Sequence, residues 1–133
     1  MDFSQDDVFE KLGSAGFDPN VKTVFLWEGV TLYLSEQAVR KTMHDVRTHA
    51  PAGSVLLADF YADRMTALAK SGALSKTLDY TDEGLGFGLP LAENYEATLT
   101  AFVESEGLTV GETFFMGSAE SKGPFMVVAE MFV

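Results

Sequence analysis

Cysteine is absent from this chain, which removes disulfides, thiolate metal sites and cysteine nucleophiles from consideration. Positive charge is scarce. Nine lysines and arginines stand against 20 aspartates and glutamates, a net charge of −11. Such a surface repels a phosphate backbone and argues against nucleic-acid binding as the main function; solubility is the simple account of the excess. No apolar run approaches the ~20 residues that cross a bilayer, so no membrane partner is expected. The acidic start, MDFSQDD (1–7), has the character of neither a signal nor a transit peptide. A cytoplasmic location is the default expectation. His44 and His49 lie five apart on one predicted helix, a spacing that does not share a face well, and no third ligand is evident, so no metal site is expected. No HExxH and no Ser-His-Asp pattern supports hydrolysis.

What the chain does have is apolar material, 47% of 133 residues. That is enough for a core and suits a single domain spanning 1–133. Val8, Leu12 and Ala15 recur at helical spacing over 8–15, and GFDPN (16–20) reads as a stop and turn. Residues 22–29 are β-branched and aromatic and predict a buried strand. Ser35 can cap the next helix with Glu36 at its positive end. The inward face of that helix is Val39, Met43, Val46 and Ala50, and PAG (51–53) ends it. SVLLADFY (54–61) predicts a second buried strand. Strand, helix, strand over this length is a βαβ unit, so the two strands should be parallel.

A helix follows over 62–74, with Met65, Leu68 and Ala69 inward. Residues 75–91 predict a Gly-rich loop with an extended segment. Residues 92–106 predict a helix facing inward through Tyr95, Leu99, Phe102 and Val103. Two apolar runs, 108–116 and 124–133, flank the polar GSAESKG and suit an antiparallel pair. The Met- and Phe-rich end, FMVVAEMFV, is expected to be core.

TVFLWEGVTLYLS (23–35) holds the main candidate. An ionised carboxylate, Glu28, ends an apolar run, and leaving it buried and unpaired is costly. Either Glu28 escapes to solvent at the strand end or a ligand there uses it. In an open α/β sheet, ligands sit beyond the carboxyl ends of the strands. Glu28 ends the first strand, Asp59 the second, and Tyr33 and Tyr61 follow in the adjoining loops. The alternative for each acid is a solvated loop position or a helix cap. GLGFG (84–88) mimics a phosphate loop but neither follows a buried strand nor opens a helix. A loop near the ligand crevice is the expectation there.

FLWEGVTLYLSEQAV (25–39) resembles the signature stretch of the leucine carboxyl methyltransferase family, class I enzymes that use S-adenosylmethionine. GFDPNVKTVFLWEGVTLYL (16–34) resembles the family's turn, strand, Glu-Gly and Tyr-Leu. APAGSVLLADFY, GFGLP and FVESEGLTVGE resemble later family segments. The resemblance implies an α/β fold, a partial Rossmann-like methyltransferase sheet. It would have two parallel strands with crossover helices, then an antiparallel terminal strand pair.

The resemblance also implies that Glu28, with Gly29 beside it, contacts the cofactor, whose hydrogen bonds and positive charge would compensate its burial. Asp2 and Phe3 fall where the family has a residue pair framing the adenine. Tyr33, Asp59 and Tyr61 would line a substrate pocket, with the methyl acceptor an unknown small molecule or carboxylate. The family's first strand, its Gly-rich cofactor turn and its ribose-holding acid find no match here. The chain therefore corresponds to the C-terminal half of that domain, as a truncated product, one half of a split enzyme or a reduced domain.

A strand deprived of its neighbour presents an apolar edge, so a homodimer or a separately encoded N-terminal half is the expected partner. The competing expectation is a non-catalytic binding or assembly module built on the half fold, and a third is a folded remnant without function.

Overall fold

A computed structural model describes residues 1–3, 5–71, 86–118 and 122–133, with the backbone alone for 68–71. Its elements in chain order are α1 (Val8–Ser14), β1 (Val24–Trp27), a short 3-10 turn (Thr31–Tyr33), α2 (Glu36–His49), β2 (Val55–Tyr61) and α3 (Asp63–Ser71). After these come α4 (Tyr95–Ser105), β3 (Thr109–Gly117) and β4 (Pro124–Phe132). The sheet order is β1-β2-β4-β3. β1 and β2 run parallel, and β4 is antiparallel to both of its neighbours. The expected α/β arrangement, a parallel pair followed by an antiparallel terminal pair, is present.

Local chemistry explains the helix between the parallel strands. Ser35 accepts the Ala38 N–H at 3.2 Å, Glu36 sits in the positive first turn, and Arg47 and His49 sit in the negative last turn. Its predicted inward face is buried throughout. It packs in one cluster with Leu56, Ala58 and Phe60 of β2, Val127, Ala129 and Met131 of β4, and Leu99, Phe102 and Val103 of α4. Every second residue of β2 from Leu56 to Phe60 and of β4 from Val127 to Met131 faces this core, as the pleat requires. Arg40 ties α2 to α4: it donates to Glu36 at 2.9 Å and to Glu106 at 3.0 Å, and lies 4.5 Å over the Phe102 ring.

The other face of the sheet is largely exposed among the described residues. Val24 is 65% exposed, Leu26 71%, Phe114 67% and Met116 53%. This corrects the expectation of a strand at 22–29 buried on both faces. An all-apolar run does not say which faces are covered, and β1 is a four-residue edge strand with one side packed.

Two further corrections concern helix faces. In α1 the buried residue is Phe9, which packs edge-on against Phe17 and Phe25; Val8 and Leu12 are only partly buried, and Ala15 is exposed. In α3 the expected inward Met65 is exposed. Ala62 and Thr66, four apart, are buried instead. Leu68 and Ala69 lie outside the described side chains, and residues 72–74 outside the described chain. His44 and His49 are both exposed, as expected, though His49 also stacks on Phe9 at 4.6 Å.

Of the loop 75–91, residues 86–91 are described. Gly86 N–H donates to the Leu32 carbonyl at 2.6 Å and Phe87 N–H to that of Leu34 at 2.8 Å. A Cβ at Gly86 would collide with the Leu34 carbonyl. The glycine in this motif therefore permits a close backbone approach behind the 3-10 turn. Gly84 and Leu85 lie outside the described residues.

Candidate functional site at the carboxyl ends of β1 and β2

The parallel register places Trp27 opposite Ala58, so Glu28, just past β1, lies at the same end of the sheet as Asp59, which is still inside β2 and pairs with Val128. A pocket of about 430 Å³ opens there, lined in part by Trp27, Glu28, Asp59, Tyr61, Met116 and Met126. The two acids do face one crevice, but their states differ.

Asp59 is buried. Both its carboxylate oxygens accept the Gly29 N–H, at 3.1 and 3.0 Å, and the Tyr61 hydroxyl donates to Oδ2 at 3.4 Å. Gly29 has φ +68°, in the left-handed region that glycine enters without strain. The buried Thr31 hydroxyl donates to the Asp59 carbonyl at 2.7 Å. Asp59 thus holds the turn that follows β1.

Glu28 is exposed and makes no hydrogen bond or ion pair among the described residues. Of the two outcomes foreseen for it, the first is realised: it escapes to solvent at the strand end. No cofactor is needed to compensate its burial, which corrects that part of the expectation. It is left able to accept hydrogen bonds from a ligand.

Burial raises the Tyr61 phenol above its usual range, the Asp59 charge and its hydrogen bond add to this, and Tyr33 and Glu28 contribute from nearby. Tyr61, which is the last residue of β2 and not in the loop where it was expected, therefore stands close to both acids and to Tyr33. Tyr33 itself is 45% exposed in the 3-10 turn. Phe3 reaches the site from behind, its ring 5.8 Å from Trp27. Asp2 is not among the residues that line the crevice. Its N–H donates to Asp6 at 2.8 Å, and its carbonyl accepts from Gln5 and Asp6.

Two residues of the site were not anticipated. Thr31 had no signal beyond its place in the motif. Trp27 had one: it is the sole tryptophan and directly precedes the acid. Its Nε1–H is buried with no partner among the described residues, and its ring also walls a second, apolar groove of about 560 Å³ beside β1. Among the described residues no cluster of three His, Asp or Glu could hold a metal.

Residues 1–47 match the leucine carboxyl methyltransferase family. The match to leucine carboxyl methyltransferases takes in Asp2, Phe3, Glu28, Gly29 and Tyr33, and ends before Asp59 and Tyr61. Comparison with curated proteins gives no match.

Among solved structures, the chain is similar to magnesium protoporphyrin IX methyltransferase from Synechocystis PCC 6803, with bound S-adenosylhomocysteine. The two are 12% identical, with 89% of this chain and 47% of that one covered, at a TM-score of 0.48. It is also similar to the N-methyltransferase NodS from Bradyrhizobium japonicum WM9 in complex with S-adenosylhomocysteine, at 14% identity, 99% and 51% coverage, and a TM-score of 0.47. The chain spans about half the length of these two structures. No helix among the described residues is long and apolar enough to cross a membrane.

Proposed function

We propose that this chain contributes one side of an S-adenosylmethionine site in a methyltransferase, with a small molecule or carboxylate as methyl acceptor. The observation that carries the reading is the family match over residues 1–47, whose acid, Glu28, stands unpaired at the mouth of the crevice. The residues present fit one side of such a cofactor. Glu28 offers a free acceptor, the buried Trp27 Nε1–H offers an unused donor, and the acidic corner of Glu28 and Asp59 favours a cationic ligand. S-adenosylmethionine, when bound, supplies an electrophilic methyl group. Glu28 orients the cofactor, Asp59 and Gly29 fix the turn that presents it, and Tyr33 and Tyr61 border the acceptor side. The rest of the cradle comes from a second copy or from an N-terminal half of the domain, and the setting is cytoplasmic.

The test uses Trp27, the only tryptophan. Titrating S-adenosylmethionine should change its emission saturably, and Glu28→Gln should abolish the response. An unchanged emission up to millimolar cofactor would contradict a seat beside Trp27. A second reading, a non-catalytic assembly module, draws on the largely exposed sheet face, which offers a large apolar surface without any cofactor.

A further inference from the structure

β1 is the edge of the sheet. Val55 N–H donates to the Thr23 carbonyl, and Val24 is in register with Val55. In a parallel ladder this directs the backbone groups of residues 23, 25 and 27 toward β2, and those of Val24 and Leu26 outward. No described segment pairs with that outer edge. Instead, a groove of about 560 Å³ runs along it, lined by residues 23–27 and by Phe3, Val8, Leu12 and Phe17. An unpaired, apolar edge is a template for another strand.

The charges at its two ends decide which strand. Lys22 precedes β1 and Glu28 follows it, both are exposed, and neither has an ion-pair partner among the described residues. We propose that β1 pairs antiparallel with β1 of a second copy about a two-fold axis at Phe25, with Lys22 opposite the partner subunit's Glu28. The outward-facing Val24 then meets the partner subunit's Leu26, which is the match of backbone parity that an antiparallel pair requires. The same register repeats by symmetry, so one interface holds two opposite-charge pairs flanking two apolar pairs. Shifting the strands by two residues in either direction keeps the parity but removes the Lys22–Glu28 pairing. For a chain of net charge −11, such local complementarity is what lets like-charged copies associate. The eight-stranded sheet that results has no free β1 edge. The proposal shares Glu28 with the methyltransferase reading, and Lys22→Glu, which leaves Glu28 in place, separates the two.

Sedimentation equilibrium of the full chain at micromolar concentration tests it. The expected result is a discrete dimer. Lys22→Glu and Glu28→Lys alone should each weaken it at least about tenfold, because each turns two opposite-charge pairs into like-charge pairs. The double variant should restore it. Leu26→Pro should give a folded monomer, since the lost N–H points outward and serves no bond within the sheet. A wild-type monomer, an open-ended aggregate, a dimer indifferent to these changes, or a double variant without rescue would overturn the proposal. S-adenosylmethionine binding, measured separately, does not enter these outcomes.

Discussion

Both carboxylate oxygens of Asp59 accept the backbone N–H of Gly29, at 3.1 and 3.0 Å. This bond fastens the end of one parallel strand to the turn leaving its neighbour, and so sets where Glu28 stands. Replacing Asp59 with Ala should cost about 2 kcal/mol, the range for a charge-assisted bond whose partner is left unsatisfied. Asp59→Asn keeps an acceptor oxygen and should cost less, about 1 kcal/mol. Urea denaturation of both variants checks the order. Equal stability to wild type would mean the turn holds itself.

Thr31 should behave differently. Its hydroxyl is fully buried and donates to the Asp59 carbonyl at 2.7 Å. Thr31→Val keeps the shape but leaves that carbonyl short of one donor. The expected loss is about 1–2 kcal/mol, read in the same denaturation experiment with an unchanged m-value.

Tyr61 gives the pH dependence. Burial and the Asp59 charge hold its phenol above the ordinary value near 10. The unfolded chain releases this proton first, so in that window the native state binds more protons than the unfolded one. The contribution is therefore intact below about pH 10 and is lost as pH rises through the folded value. Stability should fall as pH rises above the ordinary tyrosine value more steeply for wild type than for Tyr61→Phe. Asp59→Asn should lower the Tyr61 midpoint in an absorbance titration of tyrosinate.

Phe3 docks the N-terminal segment on the sole tryptophan, with rings 5.8 Å apart. Phe3→Ala should open the buried face of Trp27, shift its emission to longer wavelength and leave the far-ultraviolet circular dichroism nearly unchanged. An unshifted emission would mean that Phe3 does not shield the indole.

Much of this was readable from residues alone. The spacing of Val39, Met43, Val46 and Ala50, with Ser35 ahead and PAG behind, fixes α2 because cap, period and stop agree. The Glu28 and Asp59 positions followed from two strand ends in a βαβ unit. The exposure of Val24 and Leu26 was not readable, because a continuous apolar run looks the same whether one or both faces are packed. Met65 misled because its spacing with Leu68 and Ala69 suggested one inward face, whereas among the described side chains the buried positions are Ala62 and Thr66. The grip of Asp59 on Gly29 joins residues thirty apart, so no local pattern could reveal it; only the parallel register brings them together.

The central claim is that Glu28 presents an acceptor to S-adenosylmethionine. Isothermal titration of the purified chain with this cofactor, repeated on Glu28→Gln, tests it most directly. The account predicts saturable binding by the wild type and its loss in a variant that remains as stable, because Glu28 is exposed and makes no hydrogen bond or ion pair among the described residues of its own chain. A folded wild-type chain that takes up no cofactor, or a Glu28→Gln variant that binds as tightly as wild type, would contradict it.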